Sequence, residues 1–319
     1  MRRLILGLSL IGFSAFAQKT GTSSNFDYDN KLPLDTQDVG VEFRGAVGIY
    51  DLSYASPKGG RVPAYLVLPP GKGPFAAIIW GHWCWSNSEF RNRKEFLDEA
   101  VALAPSGVAS LLLDFPVARP GYVADKDPLS SQEIDDLVQE VVDIRRAADL
   151  LLGRPFVDAK RLGYVGHSCG ATAGGVVSGV DKRFRAFVLM AGGLSDELET
   201  KTPEFQEFRQ RTGAEKVDAF VAKYAWADPG RYVSHAAPAS VFLQYAMRES
   251  FLTPERTKAE AAIVSEPKQV KFYDAPHALN AEARRDRIAF LAEKLQFPAS
   301  PPAAIATVPD LPQPPEPKP

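Results

Sequence analysis

Four short runs of this sequence are apolar at nearly every position: Phe75–Trp80, Val108–Leu113, Phe187–Met190 and Ala239–Tyr245. A strand with one face in water alternates apolar and polar residues, whereas a strand without alternation must be covered on both faces. Helical stretches lie between the runs. From Ser88 to Leu103 the residues Phe96, Leu97, Ala100 and Leu103 share one face. Ser130 and Glu133 read as a capping box opening a long helix, with Ile134, Leu137, Val141, Ala148 and Leu152 along one side and Gly153 at its end. Thr253 to Ile263 and Ala281 to Leu295, the latter capped by Asn280, are the remaining helices. Buried strands alternating with helices dictate an α/β fold, a mostly parallel central sheet with helices on both faces. An antiparallel hairpin precedes it, Ala46–Tyr54 turning at Pro57–Gly60 into Val62–Leu68.

Residues 194–237 interrupt the alternation with a small helical insertion that carries Phe205, Phe208, Phe220, Tyr224 and Trp226. It reads either as surface helices or as a cap over a site. The flanks are simpler. Residues 1–17 combine Arg2 and Arg3, a short apolar run and Ala15-Phe-Ala17, the pattern of a secretory signal peptide. Residues 18–45 form a polar extension, 46–297 the main domain, and 298–319 a proline-rich tail expected to be extended or disordered. The chain is then expected in the periplasm or outside the cell, with no membrane span once the signal is removed. With a net charge of −2 and dispersed basic residues, it offers no nucleic-acid surface. Neither a metal-ligand cluster nor a phosphate loop is evident, so no cofactor is implied.

Chemistry enters at Gly166-His-Ser-Cys-Gly170, a G-x-S-x-G pattern. By chance the pattern recurs in about one chain in ten, so its context decides. Here a short apolar strand, Leu162–Val165, precedes it, and the small residues Ala171–Gly175 begin a helix after it. A strand, sharp turn and helix are what a nucleophile elbow requires, and they nominate Ser168. A serine hydroxyl needs a base, a group that orients the base, and donors for the oxyanion. The sequence has four histidines. His82 precedes a helix, His167 lies inside the elbow turned away from the serine, and His235 sits in the insertion. His277 follows the last strand, Gln269–Tyr273, on a loop where a base can lean over Ser168. The orienting carboxylate belongs between serine and histidine in chain order. Glu249, just after Ala239–Tyr245, is the first choice and Asp196 the second.

With these residues in place the chain resembles the α/β-hydrolases, nearest to dienelactone-hydrolase-like and acyl-peptidase-like esterases, from about Tyr50 to Leu295. The resemblance implies an α/β-hydrolase fold, with Ser168 as nucleophile, His277 as base and Glu249 as acid. It places the oxyanion hole at the backbone N–H of Cys169 and of a residue after His82, with Cys84 first and Trp83 second. Three departures stand out. The acid is Glu249 where such enzymes usually have aspartate; dienelactone hydrolases proper use a cysteine nucleophile in the cytoplasm; and His82-Trp-Cys-Trp-Ser86 replaces a His-Gly type turn. Trp83 and Trp85 are expected to narrow an acyl pocket. Cys84 and Cys169 are expected to flank the oxyanion hole as free thiols, because a bridge would crowd it; a disulfide is the alternative. The implied function is hydrolysis of a small carboxylic ester through an acyl-enzyme. A peptidase or amidase, and a hydrolase-fold binding protein without catalysis, are the other readings.

Overall fold

The computed structural model describes residues 23–249 and 252–313, so the signal-peptide segment lies outside the described residues. Nine strands form one sheet: β1 (Gln37–Arg44), β2 (Val47–Ala55), β3 (Arg61–Leu68), β4 (Phe75–Gly81), β5 (Val108–Leu113), β6 (Val157–His167), β7 (Ala186–Met190), β8 (Ser240–Ala246) and β9 (Lys268–Tyr273). Their order is β1-β2-β3-β5-β4-β6-β7-β8-β9. The pairs from β1 to β5 are antiparallel. Those from β5 through β9 are parallel. The helices are α1 (Leu97–Leu103), α2 (Gln132–Leu152), α3 (Cys169–Val180), α4 (Asp196–Glu199), α5 (Pro203–Thr212), α6 (Ala214–Tyr224), α7 (Gly230–Val233), α8 (Pro254–Ile263) and α9 (Ala281–Lys294).

The unbroken apolar runs become the sheet's centre, and every residue of β4 and β5 is buried. Because side chains alternate along a strand, each run feeds two cores. Ile79, Leu111 and Leu189 face the cluster formed with α2 and α3. Ile78, Trp80, Leu112 and Val188 face the cluster completed by α1 and α9. Asn280 caps α9, its side chain accepting from Ala283 N–H at 3.1 Å.

Four expectations are corrected. The polar extension contributes β1, whose Val39, Val41 and Phe43 alternate on an exposed edge strand. The helix expected from Ser88 begins only at Leu97, because the turns before it aim Arg93 at Asp51 and Asp114 and Glu95 into the protein interior. The cap of α2 is Ser131 rather than Ser130, and it makes no side-chain capping bond; its hydroxyl donates to Asp135 instead. The proline-rich tail, finally, is packed as far as Gln313. Ile305 is buried at 4% exposure. Arg284 on α9 donates to the carbonyls of Val308 (2.6 Å) and Pro309 (3.1 Å) and to Asp310 (2.7 Å). Gln313 Oε1 accepts from Ala278 N–H at 3.1 Å. Prolines restrict the backbone but do not prevent it from meeting a buried arginine that needs carbonyl acceptors.

Truncation after Phe297 is therefore expected to destabilise the protein. Loss of the buried Ile305 and of three acceptors from a buried guanidinium together cost roughly 3 kcal/mol. In a chain of this size that lowers Tm by on the order of 5–10 °C. Thermal unfolding of the truncated chain checks this, and an unchanged Tm would show that the tail contributes nothing.

Candidate active site

The elbow is built from the register of the sheet. Gly81 on β4 lies beside Gly166 on β6, and His167 beside Met190 on β7. The three strand ends therefore open onto one place. Ser168 follows at once, in a positive-φ conformation (φ 55°, ψ −118°), and caps α3. Such a backbone costs of order 1–3 kcal/mol for a residue other than glycine and persists only where its surroundings force it. Here the force is visible. Ser168 N–H donates to Met190 O at 2.8 Å. A Cβ on Gly166 would stand 2.2 Å from Gly170 O, and one on Gly170 would stand 2.5 Å from Gly81 O. The two glycines of the motif are thus steric requirements of the turn. Cys169 is the first residue of α3, so its N–H belongs to those that an α-helix leaves without an intrahelical acceptor.

His277 lies beyond β9 and Glu249 beyond β8. The structure brings them together: His277 Nδ1 is 2.6 Å from Glu249 Oε2. Both side chains are nearly enclosed, at 6% and 2% exposure. Burial lowers the His277 pKa from its ordinary value, and the hydrogen bond and charge of Glu249 oppose it. Asp196 is elsewhere, the first residue of α4 in the wall of a cleft. Enclosure by protein and the charge of Asp228 push its carboxyl up to about 6. The other histidines are also placed. His235 is exposed on the surface. His82 is buried, and its Nδ1 lies 2.6 Å from Trp83 O while its Nε2 accepts from Phe115 N–H at 3.0 Å. These contacts put its proton on Nδ1 and make it a brace for the loop after β4, with burial driving its pKa down to about 4.

Three expectations about that loop change. Trp83 N–H donates to Glu95 Oε2 at 2.6 Å, which removes it as an oxyanion donor and leaves Cys84 as the candidate. Trp83 is wholly buried, so its ring cannot wall an open pocket. It instead stacks on His277 (centroids 6.2 Å apart, planes at 10°) and packs on His167 at 5.1 Å. Trp85 lies 5.2 Å from the His277 ring, so both tryptophans buttress the histidine. Cys84 and Cys169 are joined in a disulfide, not left as thiols. Their Cα atoms stand 5.8 Å apart, a separation that a disulfide spans without backbone movement. Cys84, Glu140 and Cys169 form the one group among the described residues with metal-ligand spacing, and the bonded sulfurs offer it no thiolate.

Sequence reasoning missed Glu95 altogether. It read as one more surface residue of a helix, yet its side chain is fully buried and bonded to both Trp83 and His167. Glu140 was missed too, being a polar position on the long helix. It is 5% exposed, lines a cavity of about 450 Å³ beside the disulfide, and desolvation raises its carboxyl pKa well above normal. Thr172, Tyr122 and Arg91 share that cavity. Through Glu133, Ile134 and Asp196 it adjoins a second cavity of about 590 Å³, walled by the insertion's Phe205, Phe208, Phe220 and Tyr224.

No protein-family model matches the chain, and no curated protein sequence does. Solved structures are similar to it. Acetyl xylan esterase from Paenibacillus sp. R4 has a TM-score of 0.67 at 19% identity, over 83% of this chain and 90% of its own. Acetyl xylan esterase 1 from Thermoanaerobacterium sp. JW/SL YS485 has a TM-score of 0.67 at 17% identity, over 84% and 90%. A glucuronoyl esterase from Solibacter usitatus has a TM-score of 0.56 at 14% identity, over 83% and 86%. Identities this low speak for fold, and the finer resemblance to dienelactone-hydrolase-like esterases rests on sequence motifs alone. The strand order, the elbow and these similarities together give this chain the α/β-hydrolase fold.

Proposed function

We propose that this chain is an exported serine hydrolase of carboxylic esters, with Ser168 as nucleophile, His277 as general base and Glu249 as its orienting acid. The observation that carries the reading is the 2.6 Å contact between His277 Nδ1 and Glu249 Oε2, made by loops at the carboxyl ends of β9 and β8, the same end of the sheet at which Ser168 follows β6. In this mechanism Ser168 Oγ attacks the ester carbonyl while His277 Nε2 takes its proton. Glu249 holds the Nδ1 proton and stabilises the imidazolium. The N–H groups of Cys169 and Cys84 receive the oxyanion. Collapse expels the alcohol, which leaves with the proton from His277. A water, deprotonated by the same imidazole, then releases the acid and restores Ser168. The names of the similar structures favour an ester over an amide. Export is supported by the signal-like residues 1–17 and by the disulfide, which suits an oxidising compartment. Among the described residues no helix is long and apolar enough to cross a membrane.

The cleft beside the disulfide is acidic. Glu133, Asp136 and Asp196 line it against the single Arg91, while burial disfavours the charge of Glu140. A negatively lined cleft repels anions and concentrates neutral or cationic groups. A fluorophosphonate probe should label Ser168 in the intact protein. A panel of p-nitrophenyl esters should be cleaved in preference to aminoacyl nitroanilides, and esters whose acyl chain ends in a carboxylate should show kcat/KM on the order of tenfold below neutral ones of equal length. Absence of labelling and of ester turnover would refute the hydrolase reading, and preferred nitroanilide cleavage would make the enzyme an amidase.

A further inference from the structure

Behind the catalytic imidazole lies a second histidine and carboxyl that the mechanism does not use. Glu95, on the turn leading into α1, and His167, inside the elbow, both have side chains at 0% exposure. Glu95 Oε1 lies 2.5 Å from His167 Nδ1. Its other oxygen accepts the Trp83 N–H at 2.6 Å. On the far side of the ring, His167 Nε2 lies 2.9 Å from the backbone carbonyl of His277. The His167 and His277 rings stack with centroids 5.0 Å apart and planes at 26°. One carboxyl and one imidazole thus connect the oxyanion loop after β4, the elbow after β6 and the base loop after β9.

We propose that Glu95 and His167 are an uncharged positioning pair, which holds Trp83 and the His277 backbone in catalytic register while keeping positive charge away from the working imidazole. The proposal rests on His277 acting as the base. Hydrogen-bond chemistry fixes much of it. A carbonyl can only accept, so Nε2 of His167 carries a proton. Nδ1 is then either bare, receiving the Glu95 hydroxyl proton, or protonated in an ion pair with a carboxylate. Two groups with no access to water favour the neutral arrangement, since desolvation penalises both charges. The shifts agree: burial raises the Glu95 carboxyl well above its usual range and lowers His167 to about 4. The charged groups around the pair do not reverse this. Arg287 on α9 is engaged by Glu99 of α1 through two hydrogen bonds, and Glu249 is engaged by His277. An imidazolium at 167 would face, ring over ring, the imidazolium that forms at 277 when the serine proton is taken. A neutral pair avoids that repulsion at the step where it would matter.

Two variants test the proposal. In Glu95→Gln the amide can donate to His167 Nδ1 and accept from Trp83 N–H, so it copies the protonated acid but not the carboxylate. Its kcat is expected within about threefold of wild type, with the same acid limb in kcat/KM. The double variant Glu95→Leu/His167→Phe removes both side chains at similar shape and leaves the buried Trp83 N–H and His277 carbonyl without these partners, so some loss of stability accompanies it. It is expected to fold with a Tm lower by on the order of 5–10 °C and to lose about 10²-fold in kcat at nearly constant KM, since small displacements of a base cost that much. A large loss in Glu95→Gln would show that the charged pair is required and overturn the neutral assignment. Wild-type kcat in the double variant would overturn the positioning role. An unfolded double variant would assign the pair to stability and overturn it as well. If wild-type protein hydrolyses no ester, the catalytic reading itself fails, an outcome visible before any variant is made.

Discussion

Ser168→Ala is expected to lower kcat by on the order of 10⁴–10⁶ while leaving folding intact. Alanine keeps the Cβ and therefore inherits the positive-φ conformation of Ser168 (φ 55°) without adding to its cost. The bond from residue 168 N–H to Met190 O and the glycine contacts that enforce the turn are backbone features, unaffected by loss of the hydroxyl. What disappears is the hydroxyl that the proposed mechanism uses to form the acyl-enzyme. The measurement is turnover of a p-nitrophenyl ester alongside thermal unfolding. Activity within tenfold of wild type, at an unchanged Tm, would move the nucleophile elsewhere.

Glu249→Gln should lower kcat by roughly 10²–10⁴ with little change in KM, because the acid acts on the base and not on the substrate. Glutamine can still meet Nδ1, but it cannot stabilise the imidazolium and leaves the tautomer unfixed. Asp196→Asn should change kcat by less than about tenfold, since Asp196 lines the cleft while Glu249 is the carboxylate that meets His277 Nδ1. The reverse ranking would transfer the acid role to Asp196. The pH dependence has a definite sign. The base must be neutral to take a proton, and burial lowers the His277 pKa below its usual 6.5. The acid limb of kcat/KM should therefore have its midpoint below about 6.5. Glu249 pulls that pKa upward, so Glu249→Gln should shift the limb to still lower pH even as the plateau falls. A limb centred above 7 would contradict the assignment.

The contrast between what was legible in the sequence and what was not follows the range of the interactions. The buried strands, the elbow and the cap of α9 are local patterns, since strand burial, turn sterics and a capping asparagine act within a few residues. Glu249 could be nominated because chain order and a strand end bounded the search. Glu95 could not, because its partners His167 and Trp83 lie 72 and 12 residues away and nothing near it in sequence marks it as buried. The tail failed for the same reason. Its composition is that of a free segment, and only Arg284, brought up by α9, gives its carbonyls something to bind. The disulfide was misjudged on geometry, since the sequence set Cys84 and Cys169 at neighbouring strand ends but did not show that their Cα atoms stand 5.8 Å apart, at bridging distance.

The disulfide also alters the covalent topology of the molecule. Cys84 and Cys169 are 85 residues apart in sequence, and the ring they close contains β5, α1 and α2 together with the open loop around Val123, which is 78% exposed. That loop is the kind of site where proteases cut extracellular proteins. A single cut there turns the ring into two arms but yields no fragments: the piece with the loop after β4 and the piece with Ser168, Glu249 and His277 stay joined at the sulfurs, immediately beside Ser168. Nicked and intact enzyme would have the same mass apart from one added water, and they would part company only on reduction.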